Sequence, residues 1–321
     1  MKTVAYQGVK GAFSYITALM EFGIENNFRG CQSFQNVFEL VDSGEADYAV
    51  IPVENSLVGS IYDNYDLLNR FEMEIVGERF TKIEHCLLAV PAPQKNSQNW
   101  VQACDLQFES ISRFSIRDSQ ITNHKPDPNF AHEERLAGII KVMSHPKALE
   151  QCSSFFQGHP WMEAVVHMDT AAAAAEVAFK EDPSCVAIAS SAAAELYGLE
   201  ILKKGIEDDP KNYTRFVTIV KKGNSGGRTE KADKCSLLIK MKHIPEVLVG
   251  MLKHFADEWV NVTKIESRPI RGSPFEYLFY IDFEFAGREQ QEIEVLLNGL
   301  GNEVQMLKIL GFYKKGMSWS N

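Results

Sequence analysis

The sequence predicts an α/β protein with a smaller α+β module appended at its C-terminal end. Three observations predict it. Strand and helix signals alternate through residue 220, a polar glycine-bearing stretch follows at 221–232, and a β-α-β-β-α-β order occupies the remainder.

Residues 2–6 read as a buried strand, followed by a turn bearing Gly8 and Gly11. Residues 14–22 take helical spacing, with Ile16, Leu19 and Met20 on one face. A second helical stretch, 34–43, stops at Gly44, and 48–52 is a short apolar strand whose end carries Glu54, Asn55 and Ser56. Alternation of this kind predicts largely parallel pairing. Another buried strand covers 86–90. Residues 92–137 are rich in Gln, Asn, Ser, Asp and Pro, and Lys125-Pro126-Asp127-Pro128-Asn129 fits neither helix nor central strand, which predicts a flexible insertion. Regular signals return with a strand at 139–143 ending in Ser144, an alanine-rich helix at 170–179 and a strand at 186–189. A helix at 191–197 is stopped by Gly198. Thr214-Arg215-Phe216 then runs into the β-branched strand 217–220, placing a hydroxyl and a guanidinium at a strand mouth, where ligand sites of open α/β sheets gather.

The stretch 221–232 reads as a linker. Strands at 235–241, 260–267, 277–285 and 303–312, with helices at 247–255 and 290–300, make a split β-α-β, ferredoxin-like unit. Such a unit leaves a sheet face and a sheet edge to be covered, for which a second copy is a natural solution.

Composition narrows the function. With 33 basic against 43 acidic residues the net charge is −10, which argues against a nucleic-acid binder. The six cysteines (31, 86, 104, 152, 185, 235) are widely spaced in apolar surroundings and read as reduced thiols, without a zinc or disulfide frame. No apolar run reaches membrane-spanning length, and MKTVAYQG opens into a strand without a leader pattern; the expected compartment is the cytoplasm.

Four polar groups follow or interrupt apolar strands: Glu54-Asn55-Ser56, Ser144 with Gln151, Thr170, and Thr214-Arg215. Ser144 and Thr170 have a competing role as helix N-caps, since a hydroxyl there accepts an orphan backbone N–H. Capping accounts less well for Asn55, Gln151 and Arg215 together. No dinucleotide, Walker or nucleophile-elbow fingerprint occurs. A cofactor-free enzyme or a ligand-binding module remains, with no metal expected.

Seven blocks resemble prephenate dehydratase: AYQGVKGAFS, VIPVENSLVGSIYDNYDLL, HCLLAV, VMSHPKALEQC, DTAAAAAEV, VAIASSAAAELYGLEIL and GIEDDPKNYTRFVTI. Two more, KCSLLIKMKHIPEVLVGML and VNVTKIESRPI, resemble that family's C-terminal ACT regulatory domain. The chain is similar to the monofunctional form, in which no chorismate mutase segment precedes or follows. The resemblance implies a two-lobed, periplasmic-binding-protein-like catalytic domain over 1–223, with lobe 1 about 1–81 and 191–223 and lobe 2 about 82–190. It further implies an active site between the lobes and an ACT domain (βαββαβ) over 233–313. It implies decarboxylating dehydration of prephenate to phenylpyruvate in L-phenylalanine biosynthesis, in a homodimer or homotetramer without a cofactor. Thr214 matches the catalytic position; Glu54, Asn55, Ser56, Ser144, Gln151, Thr170, Arg215 and Phe216 match or neighbour substrate-contacting ones. Arrangements left open are an arogenate dehydratase and a non-catalytic amino-acid-sensing clamshell.

A cation on the ring carboxylate would stabilise charge that must vanish in the transition state, so Arg215 is expected to serve the pyruvyl carboxylate or to hold local structure. For L-phenylalanine, the resemblance implies an allosteric site at Glu246, Val247, Leu248, Val249 and Glu266, Ser267, Arg268, Pro269. Glu246 stands where the family carries glycine; a carboxylate about 5 Å from the effector's own would cost about 1–3 kcal/mol, predicting weakened inhibition. Ala12 replaces a threonine common in relatives.

Overall fold

The computed structural model describes residues 1–92, 135–224, 231–241, 246–270, 272–273, 275–301 and 304–316. Most of the expected insertion, half of the linker and Cys104 lie outside the described residues. The described chain forms two units, one of Met1–Ile83 with Lys211 onward and one of Glu84–Pro210.

In the first unit β1 (Thr3–Gln7) runs parallel to β2 (Asn27–Cys31) on one side and to β3 (Tyr48–Asn55) on the other. Helices α1 (Phe13–Phe22) and α2 (Phe34–Asp42) connect them, and Ser33 starts α2 by accepting the amide of Asn36. The two-residue β4 (Gly59–Ser60) folds back on β3; α3 (Tyr62–Arg70) and β5 (Met73–Lys82) follow.

The second unit holds β6 (Cys86–Ala89), β7 (Lys141–Ser144), α4 (Pro146–Glu150), α5 (Ser153–Gly158) and β8 (Glu163–Val166). Its chain continues through α6 (Thr170–Lys180), β9 (Cys185–Ala189), α7 (Ser191–Tyr197) and β10 (Glu200–Lys204). Its sheet order is β10-β6-β9-β7-β8. The expected return to lobe 1 at 191 is therefore corrected: α7 and β10 belong to this unit, β10 pairs with β6, and the chain crosses at Pro210–Lys211.

Back in the first unit, β11 (Tyr213–Lys221) enters between β3 and β5, antiparallel to both, giving the order β2-β1-β3-β11-β5. Largely parallel pairing is also corrected, since both sheets are mixed. The chain leaves the first sheet along β5 and re-enters beside it along β11, with Ile83 N–H donating to the carbonyl of Asn212 at 2.8 Å. A strand leaving and a strand entering at one place must run in opposite directions, and β6 and β10 repeat this in the second sheet.

The C-terminal module has β12 (Lys234–Lys240), α8 (Val247–Asp257), β13 (Asn261–Pro269), β14 (Tyr277–Glu284), α9 (Gln290–Gly301) and β15 (Met306–Tyr313). The strand order β13-β14-β12-β15, antiparallel throughout, is the ferredoxin-like arrangement expected. One sheet face carries Ile239, Ile281 and Phe283 into a core with Phe255, Ile293 and Leu297 of the two helices. The other face sends Leu238, Tyr280, Leu310 and Tyr313 into the cluster of Leu68, Met73, Ile75 and Val217. The sheet face expected to await a second copy is thus covered within this chain. Burying each such aliphatic side chain contributes about 1.5–3 kcal/mol.

Two backbone features fix this docking. Lys308 Nζ donates to the carbonyls of Leu68, Asn69 and Phe71 at 3.3, 3.1 and 3.3 Å, satisfying the end of α3. Gly311 lies so close to β5 that a Cβ there would sit 2.0 Å from the carbonyl oxygen of Ile75. Gly311→Ala should therefore lower unfolding free energy by at least about 2 kcal/mol. Gly299→Ala, on the exposed side of α9 with nothing within 4 Å, should leave stability level or raise it by up to about 1 kcal/mol. Denaturant titration of the two variants checks both.

Candidate active site

Thr214 and Asn55 face each other in the β11–β3 ladder. Asn55 Oδ1 accepts the backbone amides of Leu57 and Val58 at 3.0 and 3.1 Å. Because backbone N–H groups only donate, this fixes which end of the side-chain amide is which. Asn55 Nδ2 must then donate, and it meets Thr214 Oγ1 at 3.0 Å, Asn212 Oδ1 at 2.7 Å and the Tyr213 carbonyl at 3.2 Å. With its oxygen accepting from Asn55, the Thr214 hydroxyl proton points elsewhere. Ser56, expected as a substrate contact, latches the strand end: its Oγ donates to the Lys211 carbonyl and accepts the Tyr213 amide, at 2.9 and 3.0 Å.

Sequence reasoning passed over Asn212, which is fully buried. Two residues before Thr214 on an extended segment, it shares that residue's face, a period-2 signal present in KNYTRF. Thr81 pairs in register with Thr214 from β5, and its hydroxyl bonds Thr17 at 2.8 Å.

Arg215, one residue on, turns to the opposite face and is 6% exposed. Its Nε donates to Glu78 at 2.6 Å, its Nη1 to Asp282 and its Nη2 to Tyr313 Oη at 2.9 Å. Lys234 Nζ holds the same Glu78 carboxylate at 2.9 and 3.0 Å. Ser236 Oγ donates to Asp282, so the Tyr313 hydroxyl donates to Ser236 at 2.6 Å, closing a ring of hydrogen bonds through Arg215. Of the two roles expected of Arg215, its bonds match local structure; the atoms that would meet a pyruvyl carboxylate are engaged by protein carboxylates and a phenol. Phe216, expected at the substrate, is 3% exposed and packs with Val4, Ala18, Tyr48 and Val50.

Glu54, in register with Arg215, is half-buried and lies 3.9 Å from its guanidinium and 3.0 Å from Lys264 Nζ of β13. Burial alone would raise the Asp282 carboxyl, but Arg215, the Ser236 hydroxyl and Lys234 outweigh it and hold the group below the ordinary carboxylate range.

In the second unit, Ser144 is fully buried and donates to the Ile188 carbonyl at 2.6 Å. Gln151 Oε1 meets His85 Nε2 at 2.9 Å, and burial keeps the His85 pKa below its usual value. With Gln151 Oε1 as the acceptor, a neutral His85 carries its hydrogen on Nε2 in this contact. Neither Ser144 nor Thr170 is the N-cap that was the competing role: His145 caps α4, and Asp169 caps α6 by accepting the amides of Ala171 and Ala172.

The residues expected at the effector site divide by face. Along β13, Glu266 and Arg268 are partly buried while Ser267 and Pro269 are exposed. Glu266 accepts from Ser60 Oγ at 2.8 Å and Tyr62 Oη at 3.2 Å, and Arg268 pairs with Asp66 at 2.7 Å. At the start of α8, Leu248 and Val249 are exposed and Val247 is half-buried. Glu246 has φ 72°, a left-handed conformation that suits glycine and strains other residues.

Comparison with known proteins adds a family. The profile of the family Prephenate dehydratase matches residues 4–120 and 129–224. Arogenate dehydratase/prephenate dehydratase 2 of Arabidopsis thaliana, a chloroplastic protein, is 34% identical over 97% of this chain and 72% of its own length. A solved prephenate dehydratase from Arthrobacter aurescens in complex with L-Phe superposes with TM-score 0.74 and 26% identity, covering 97% of this chain and 89% of that one. GqqA, described as a novel type of quorum quenching acylase, superposes with TM-score 0.75 and 28% identity over 98% of both chains.

Because the folded-state value of Asp282 lies below the unfolded one, its stabilisation is complete above about pH 4 and is lost as the pH falls through the depressed value. Asp282→Asn should cost about 3–5 kcal/mol near neutral pH by stranding buried positive charge. The gap between wild type and variant should narrow steadily below about pH 4, read by thermal unfolding across a pH series.

Proposed function

The chain belongs to the prephenate dehydratase family, and we propose that Thr214 is its catalytic alcohol. The family's reaction is decarboxylating dehydration of prephenate to phenylpyruvate in phenylalanine biosynthesis, and the chain is an enzyme of that hydro-lyase class. Prephenate is a cyclohexadiene bearing a ring carboxylate and, para to it, a hydroxyl. Loss of CO₂ with water makes the ring aromatic, so the electrons released by decarboxylation need no external sink. What the protein supplies is help for the departing hydroxide.

The observation that carries this reading is the orientation of the Asn55 amide. Its Nδ2 donates to Thr214 Oγ1 at 3.0 Å, which leaves the Thr214 proton to meet the leaving oxygen. The same donor steadies the charge that grows on Oγ1 as that proton moves, an interaction stronger in the transition state than before it. General acid catalysis of this kind contributes about 10²–10⁴-fold. Ser144, Gln151 and Thr170 enter the reading as substrate-binding groups. Arogenate, with an amine in place of the side-chain ketone, is the alternative substrate, and side-by-side assay separates the two.

The reading takes L-phenylalanine as effector at residues 246–249 and 266–269, supported by the Arthrobacter complex and by the exposure of Ser267 and Val249. It places the enzyme in the cytoplasm as a homodimer or homotetramer; β13 is a sheet edge and leaves a row of backbone groups open to pairing. Among the described residues no helix is long and apolar enough to cross a membrane.

Thr214→Ala should lower kcat for phenylpyruvate formation by at least about 10²-fold, and Thr214→Ser by much less. Equal losses would make the threonine methyl, through packing, the feature that matters. Glu246→Gly should relieve the left-handed strain, raising stability by about 1 kcal/mol, and tighten inhibition by phenylalanine about fivefold or more. A phenylalanine titration identical for wild type and variant would remove the role given to the Glu246 charge.

A further inference from the structure

We infer that Arg215 and Glu54 are positioning residues, through which Asp282, Tyr313 and Lys264 of the C-terminal sheet set the geometry of the Thr214–Asn55 pair. The inference rests on the reading of Thr214 as the catalytic alcohol. It begins with the ladder: Thr214 pairs with Asn55 and Arg215 with Glu54, on consecutive rungs of β11 and β3. Each strand thus contributes one residue to the hydroxyl–amide pair and, beside it, one residue gripped by the C-terminal sheet.

The grip is specific on both strands. On β11, Arg215 donates to Asp282 and Tyr313, and Ser236 links those two acceptors. On β3, Lys264 reaches Glu54 at 3.0 Å and also donates to Ser60 Oγ at 2.8 Å. Ser60 and Gly59 pair with Glu54 and Asn55, so Lys264 holds both arms of the turn that orients the Asn55 amide. Just beyond these rungs the ladder slips: Arg215 pairs with Glu54 but Phe216 with Pro52, leaving Val53 as a bulge. Regular pairing therefore does not dictate the backbone there, and side-chain contacts on the neighbouring rungs have purchase on it. The cluster is also intolerant of partial assembly, because a buried ion left without its partner is strongly disfavoured.

Steady-state kinetics and a crystal structure test the inference on the full chain. Asp282→Asn and Tyr313→Phe should lower kcat about 10–100-fold, the effect of misplacing a catalytic group by up to about 1 Å, while KM for prephenate stays within about threefold. Tyr313→Phe keeps the shape of the core and covers the case in which Asp282→Asn folds poorly. The Tyr313→Phe penalty should shrink at least about threefold when introduced into Thr214→Ala, which has no hydroxyl left to position, since residues acting through one another are non-additive. Lys308→Met weakens docking without touching either rung and should leave kcat within about twofold. In a crystal structure of Tyr313→Phe the Asn55 Nδ2–Thr214 Oγ1 separation should exceed 3.5 Å. Additive penalties, an equal kcat loss in Lys308→Met, or an unchanged separation would overturn the inference. Failure of the wild type to consume prephenate would instead remove the functional reading, and the crystallographic comparison would still decide the positioning role.

Discussion

The buried ion cluster around Arg215 is the constraint on which the first unit depends. Two cations, Arg215 and Lys234, and two carboxylates, Glu78 and Asp282, sit out of water between β5, β11 and the C-terminal sheet. Taking each ion out of water costs several kcal/mol, recovered only when every partner is in place. Apolar packing of Leu238, Tyr280 and Leu310 supplies the attraction between the two sheets. The cluster and the ring closed by Ser236 and Tyr313 select one register for it, because sliding by one residue would strand a charge.

That arrangement explains why neighbouring residues of one motif do such different things. Strand geometry sends Thr214 and Arg215 to opposite faces. One side chain joins Asn55 and Asn212 around a hydroxyl, while the other is locked among carboxylates. Phe216 alternates back and is taken up by the core. A tripeptide that looks like one catalytic cassette is the hydroxyl proposed for catalysis, a structural anchor and a packing residue in succession.

Much of this was legible in the chain before folding. Apolar runs of strand length located β1, β6 and β9, and glycine stops located the ends of α2 and α7. The βαββαβ order followed from pattern alone. What stayed hidden needed partners distant in sequence. β5, Met73–Lys82, carries Glu74, Glu78 and Arg79 and has no continuous apolar run, yet Glu78 is buried because Arg215, 137 positions away, neutralises it. Asp282 lies 67 positions from Arg215 in the other direction, and nothing local in either segment announces the pair. Strand direction was misjudged for a similar reason: hydrophobic period shows which residues are buried, not which way the neighbouring strand runs.

The near-contact of Gly311 with Ile75 bears on how such proteins can be recombined. A C-terminal module transplanted onto a foreign N-terminal half carries its own core, but its seat belongs to both partners. Chimeras built at the linker would succeed only where the recipient's facing strand leaves bare backbone opposite that glycine. In this chain the closeness of that seat rests on a single missing methyl group.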